Sequence, residues 1–152
     1  MTRSRILAGT AALVAALAGA ALLPAQADAA TGSVHLYKIY YDSPGTDRGS
    51  NASLNAEWVQ IENSTAKSAN LKGWVLTDVA NHRYVFGTYS LAPHRILAIH
   101  TGKGKDGPVN RYENRAAYVW NNDKDTATLK KANGVKVDTC SYNSTRVDYK
   151  VC

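Results

Sequence analysis

Two stretches of alternating apolar and polar residues, separated by a polar interval, organise this chain. The first runs from Glu57 to Asn63 and the second from Leu71 to Asp78, and both are rich in β-branched and aromatic residues. Because alternation with a period of two is typical of half-buried strands, the pattern predicts a strand, a loop and a second strand. Four apolar side chains, two from each strand, are expected to face one another across the core: Val59, Ile61, Trp74 and Leu76.

Further stretches of β-branched, aromatic and apolar residues predict more strands: Val34 to Tyr41, Arg83 to Phe86, Arg95 to His100, Thr126 to Lys131 and Val135 to Cys140. The last two flank Asn133-Gly134, which is the strongest short-range signal for a β-hairpin. Residues 96–99 are all apolar. The strand that contains them is therefore expected to be central and covered on both faces.

The pattern as a whole predicts an all-β fold, because no helical period of useful length follows residue 30. Short strands with frequent turn signals, about seven to nine of them, indicate an antiparallel β-sandwich. A length of 152 residues suits one domain. We therefore expect a single sandwich over residues 31–152, ending in a C-terminal tail.

The first thirty residues differ in composition from the rest. Arg3 and Arg5 precede an apolar run from Ile6 to Leu23, and small residues then alternate around Gln26 and Asp28. This order is that of a secretory signal peptide, so residues 1–30 are predicted to be removed and the domain to be secreted, with no membrane span after processing. An uncleaved membrane anchor is the alternative, because the run is near the lower length limit for spanning.

The two cysteines, Cys140 and Cys152, predict one disulfide in an exported chain. This disulfide would stabilise the folded state by on the order of 3 kcal/mol in the chain-entropy model, and it would hold the C-terminal tail on the domain. Two free thiols or an intermolecular bridge are the alternatives. A zinc site is poorly supported, because no Cys or His pair has ligand spacing.

Several separated motifs resemble the lamin tail domain family. They are an acidic-aromatic-Val-x-Ile-x-Asn strand from Glu57, a Leu-x-Gly-Trp-x-Leu strand from Leu71, a Tyr-Asp-x-Pro-Gly-x-Asp turn from Tyr41, a Trp-Asn-x-x-x-Asp-Thr-x-x-Leu strand from Trp120, and the Asn-Gly hairpin. The resemblance covers Val34 to Tyr142 and implies an immunoglobulin-like sandwich. It also implies an interaction role with varied partners. In nuclear lamins the domain contacts proteins and chromatin, and in bacterial exported proteins it often accompanies hydrolases.

Catalytic chemistry finds little support in the sequence. None of the four histidines lies in a nucleophile motif or at metal-ligand spacing. His100 is the one to test, since it ends the predicted central strand beside a Gly/Lys loop, and an ordinary hydrogen bond is the competing interpretation. Glu57 and Glu62 would face opposite sides of a strand, so they cannot act as an acid/base pair. At Glu57, the family's acidic position, a structural hydrogen bond or ion pair is expected.

Calcium has two weak candidate sites. Asp123 with Asp125 lacks the glycine and the distal glutamate of an EF-hand loop, and Asp42 and Asp47 with neighbouring carbonyls are an equally weak candidate. The chain is therefore predicted to be non-enzymatic and to hold no metal or cofactor. An unrecognised hydrolase is a further alternative, behind the two binding roles described below. The oligomeric state is not predicted.

The formal net charge is +6 at pH 7 with His neutral, and removal of residues 1–30 leaves +5. A basic domain attracts polyanions such as nucleic acid or anionic wall polymers, although a merely solvated basic surface has the same charge. The best candidate surface combines cations and rings in a segment, beginning at Thr101, that is expected to be an exposed loop: Lys103, Lys105, Arg111, Tyr112, Arg115 and Tyr118.

Loops at one end of a rigid sandwich often carry binding residues. In this loop, Lys and Arg would neutralise phosphates and Tyr would stack on bases, although no nucleic-acid recognition motif is present. Lys130 and Lys131 join the surface only if their hairpin lies nearby. The leading interpretation is a secreted adhesion or interaction module that binds an extracellular protein or envelope component, and polyanion binding through this loop is the alternative.

Overall fold

A computed structural model describes residues 32–152, which form two packed β-sheets and a small additional ribbon. The predicted signal peptide lies outside these residues. Along them, eleven strands and one helix follow in this order: β1 (Val34–Tyr40), α1 (Asn51–Ala56), β2 (Trp58–Asn63), β3 (Ala69–Asn70), β4 (Val75–Thr77), β5 (Arg83–Val85), β6 (Ser90–Leu91), β7 (Arg95–His100), β8 (Asn110–Tyr112), β9 (Lys124–Lys130), β10 (Lys136–Asn143) and β11 (Tyr149–Val151).

The strands pair as a sandwich. One sheet has the order β11-β1-β2-β7-β8, the other has the order β10-β9-β4-β5, and β3 pairs with β6. All pairs are antiparallel except β7 with β8, which run parallel. The prediction of an all-β, immunoglobulin-like sandwich is confirmed. The described chain has more strands than the seven to nine expected, because several span only two or three residues, too few to show a period.

The core lies between the sheets. Val59 and Ile61 from β2 and Leu76 from β4 are buried, whereas Trp74 is half-buried and packs against the core. Other buried side chains come from both sheets and from the segment before β9, among them Trp120. Burial of this apolar surface supplies the main stabilisation of the fold.

The local structure differs from the predicted pattern at two places. The polar segment before β2 contains helix α1, which is capped by the Ser50 side chain accepting from the Ser53 amide at 3.2 Å and is anchored by buried Leu54. Six residues are too few to reveal a helical period. Residues 110–112, expected in a loop, form β8 beside β7.

Strand β7 has neighbours on both edges, as a central strand should, but only one of its faces is buried. Leu97 and Ile99 point into the core, whereas Ile96 and Ala98 are half-buried on the outer face. The four apolar residues in a row therefore do not indicate a strand covered on both faces.

The C-terminal part of the chain closes one edge of the sandwich. The Asn133-Gly134 turn joins β9 to β10, with Gly134 at φ 82°, a left-handed conformation that glycine adopts without strain. The predicted disulfide between Cys140 and Cys152 is confirmed. Because Cys140 lies on β10 and Cys152 follows β11, the bond links the edge strands of the two sheets.

Candidate functional site

Glu57 is fully buried just before β2 and ties three segments together. Its Oε1 atom accepts hydrogen bonds from the Thr101 hydroxyl and, at 2.9 Å, from the Val119 amide. Its Oε2 atom is buried with no hydrogen-bond partner within residues 32–152. Burial raises the pKa of Glu57 to about 7, although its hydrogen bonds act in the opposite direction. A carboxyl enclosed in this way joins strands and is closed to a substrate.

His100, the residue singled out as a catalytic candidate, has an oxygen atom within hydrogen-bond distance of each ring nitrogen. Nδ1 lies 2.7 Å from the Asn55 carbonyl oxygen, and Nε2 lies 3.0 Å from Oδ1 of Asn110. The ring also stacks on Tyr112 with 5.2 Å between centroids. These contacts fix the ring as part of the join between α1, β7 and β8.

The predicted basic loop surface is only partly assembled. Arg111 forms a 3.1 Å ion pair with Asp106 and lies over the Tyr89 ring, at 4.3 Å from its centroid. Arg115 forms a 2.8 Å ion pair with Glu113. Carboxylates therefore offset both arginine charges.

The other members of the loop surface have different surroundings. Lys103 and Lys105 are exposed. Tyr112 packs against the backbone at Gly104, where a Cβ atom would collide with its ring, and Tyr118 hydrogen bonds to Ser53 at 2.6 Å. Only the two lysines present free charge to solvent, so the assignment of this loop as a polyanion site stays a prediction.

The two weak calcium candidates are occupied by protein donors. Both oxygens of Asp125 accept hydrogen bonds from backbone or side-chain nitrogens, including the Val79 amide at 3.1 Å. Asp42 and Asp47 are bridged by the side-chain amide of Asn122, at 2.9 Å to each. No group of three metal-ligating side chains occurs within residues 32–152.

An unpredicted feature lies on the outer face of the five-stranded sheet. Residues paired directly across neighbouring strands point to the same face. Five aromatic side chains, which we call the aromatic row, follow one line of such pairs across all five strands: Tyr149, Tyr40, Trp58, His100 and Tyr112. The row crosses four inter-strand distances and is therefore about 19 Å long.

Rings within the aromatic row contact one another. The centroids of Tyr40 and Trp58 are 5.4 Å apart, and those of Tyr40 and Tyr149 are 6.2 Å apart. Lys38, on the same face, places its Nζ atom 3.8 Å from the Tyr149 centroid. Tyr40 and Trp58 alternate with buried residues in the sequence, which signals their outward direction. The complete row was not predictable, because β8 and β11 were not recognised as strands.

Comparison with protein-family models matches residues 27–144 to the Lamin Tail Domain. The chain belongs to the lamin tail domain family. This match covers most of the chain and confirms the family resemblance. A comparison with curated proteins found no match.

Lamin tail domains are a non-catalytic, immunoglobulin-like family of binding domains, and the match supports a lamin-tail-like interaction module for this chain. The match ends at residue 144, so β11 and Cys152 lie beyond the family pattern. Within residues 32–152, no helix has the length and apolar character needed to cross a membrane.

Proposed function

We propose that this lamin tail domain is exported from a bacterial cell after removal of residues 1–30. Outside the cell it acts without catalysis, as an adhesion or interaction unit that binds an extracellular protein or an envelope component. A disulfide and a basic, β-rich domain are compatible with that environment.

The aromatic row carries this proposal. Aromatic side chains are enriched at the centres of protein interfaces, because they contribute a large contact area and lose little conformational entropy on binding. Tyr149 is 44% exposed and Tyr40 and Trp58 are half-buried, so the row combines fixed positions with access to a partner. The enclosed Glu57 and the tethered His100 favour a binding role over a catalytic one.

Affinity capture tests the proposal. Mature protein would be used to capture components from culture supernatant and from cell-envelope fractions, with identification by mass spectrometry. The Trp58→Ala variant is expected to lose the captured component, and Val85→Ala, which changes a 55% exposed residue on the other sheet, is expected to retain it. Capture of nothing by the unaltered protein, or equal capture by Trp58→Ala, would contradict the proposal.

The non-catalytic assignment has a separate test. Mature protein and the His100→Ala variant would be screened against phosphoesters, glycosides and peptides. We expect no turnover by either protein, and turnover that disappears in His100→Ala would overturn the assignment.

Polyanion binding through the loop is the second candidate, and exposed Lys103 and Lys105 favour it. It predicts affinity for an anionic polymer that falls steeply between low and moderate salt. Replacing both lysines together with Arg111 and Arg115 by alanine should abolish that affinity. A flat salt response, or unchanged affinity in the four-residue variant, would remove this candidate.

A further inference from the structure

The outer face of the four-stranded sheet is rich in cations and hydroxyl groups. Lys136 of β10 pairs with Lys130 of β9. The neighbouring row of directly paired residues crosses the sheet through three threonines and ends at Arg83 of β5. Lys124 begins β9 on the same side, and Lys131 follows β9 at the turn. We call these five cations the basic face: Arg83, Lys124, Lys130, Lys131 and Lys136.

Hydroxyl groups line the space between these cations. Thr128 of β9 lies between Thr139 and Thr77 of its neighbouring strands, and Thr126 hydrogen bonds to Ser141 across the strands at 2.8 Å. Lys, Arg, Ser and Thr are among the side chains that contact phosphate oxygens. The pattern therefore suits a phosphate-bearing ligand.

Within residues 32–152, no carboxylate forms an ion pair with the basic face, although Asp123 lies beside Lys124 and lines the same surface pocket. The four ion pairs found within residues 32–152 all involve other cations. The acidic residues of β9 and β10 turn away from this face: Asp125 is buried, and Asp138 accepts a hydrogen bond from the Leu36 amide of the opposite sheet at 2.9 Å. The charge of the basic face is thus available to a ligand, in contrast to that of Arg111 and Arg115.

Part of the basic face is concave. Arg83, Lys130 and Lys131 line a surface pocket of about 220 Å³, together with Val75 and Thr77 of β4. Three cations around one concavity are suited to a phosphate group, since each contributes charge and hydrogen-bond donors. The neighbouring Lys136 and Lys124 extend the charge along the sheet, as a polymer of repeated phosphates requires.

We propose that the basic face binds a phosphodiester polymer that lacks bases, such as the polyol-phosphate chains of a cell wall. This inference goes beyond the proposed function, because it assigns a second ligand to the face opposite the aromatic row. Proteins that bind single-stranded nucleic acid combine a basic groove with rings on which bases stack. Here the basic face and the aromatic row lie on opposite sides of the sandwich, so one strand cannot use both.

The test compares two variants with equal loss of charge. The basic-face variant carries Arg83→Gln, Lys130→Gln and Lys136→Gln. The control carries Lys67→Gln, Lys103→Gln and Lys105→Gln, which are exposed and lie outside the strands of the four-stranded sheet. Binding to synthetic poly(glycerol phosphate) would be titrated at several salt concentrations. Duplex DNA and poly(dT) would be titrated in parallel, and thermal melting would verify folding.

We expect the unaltered protein to bind poly(glycerol phosphate) more tightly than either nucleic acid. The basic-face variant should bind at least about tenfold more weakly, with the slope of log K against log salt reduced by roughly one for each phosphate that the variant no longer neutralises. The control should bind almost as well as the unaltered protein. An equal loss of affinity in the control would assign binding to the loop instead.

Two other outcomes would overturn the inference: no binding of poly(glycerol phosphate) at low salt, or tighter binding of nucleic acid. These failures are distinguishable from failure of the proposed function. A protein that captures an envelope component through Trp58 but ignores poly(glycerol phosphate) contradicts only the inference. A protein that captures nothing from the envelope contradicts the proposed function.

Discussion

The outer face of the five-stranded sheet presents aromatic rings, whereas the outer face of the four-stranded sheet presents cations and hydroxyls. Trp58 and Tyr40 lie on the first, and Lys130 and Lys136 lie on the second. One buried core supports both. Side-chain alternation explains how this is possible, because each strand assigns every second residue to the core and leaves the others free to differ.

Removing the disulfide should have the largest effect and should affect the two faces unequally. The bond joins residues 12 apart in sequence and holds β11. The Cys140→Ser, Cys152→Ser double variant should lose about 3 kcal/mol of unfolding free energy. Urea denaturation measures this loss, and envelope capture should weaken because Tyr149 is released, while poly(glycerol phosphate) binding is retained. An unchanged denaturation midpoint would show that the disulfide contributes no stability.

A change of pH should act on the buried carboxyl beneath the aromatic row. The pKa of Glu57 is raised from 4.5 in the unfolded chain to about 7, so its contribution to stability is fully present below pH 4.5 and is lost as pH rises through 7. The loss is at most about 3 kcal/mol. Denaturation between pH 4.5 and 8 measures it.

Glu57→Gln is the control for that experiment, because it keeps the acceptor oxygen but cannot ionise. Its stability should vary less with pH than that of the unaltered protein. If the free energy of unfolding varied with pH equally in both proteins, Glu57 would be excluded as the titrating group. Another group would then be favoured, such as Glu113, whose pKa is also raised by burial.

The contacts within the aromatic row should contribute a smaller amount. Tyr40 and Trp58 are directly paired, and their coupling in a double-mutant cycle of alanine variants should be about 0.5–1.5 kcal/mol. Chemical denaturation of the four proteins provides the measurement. A coupling near zero would mean that the rings are free to reorganise and do not form a fixed surface.

The smallest effect is expected on the basic face and should have the opposite sign. Lys130 and Lys136 are like charges in a directly opposed pair, which is unfavourable. Lys136→Glu should therefore stabilise the protein by a few tenths of a kcal/mol up to about 1 kcal/mol, less at high salt, while it weakens binding of poly(glycerol phosphate). Destabilisation by this change would show that the two lysines do not repel each other.

The predictability of the fold and that of the candidate surfaces differed for a physical reason. Long strands such as β2 and the Asn133-Gly134 hairpin are specified by local patterns of burial and turn chemistry, so the sequence shows them directly. The aromatic row and the basic face are sets of residues distant in sequence, which only register brings together. Arg83 and Lys136, for example, share a face because β4 and β9 lie between them.

Charge alone was similarly incomplete as a guide. In the sequence, the loop cations Arg111 and Arg115 look equivalent to Lys130. In the structure, each arginine forms an ion pair with a carboxylate a few residues before it in the chain. Ion pairing depends on side-chain placement within a few ångströms, and a count of basic residues contains no such information.

The opposition of the two faces has a consequence for valency. Ligands on the two outer surfaces of a sandwich are separated by its full thickness and do not compete for space. A single small domain can then cross-link two different molecules, and each attachment raises the effective concentration of the other partner. Such a bridge needs neither a second domain nor a flexible linker, because the sandwich itself is the spacer.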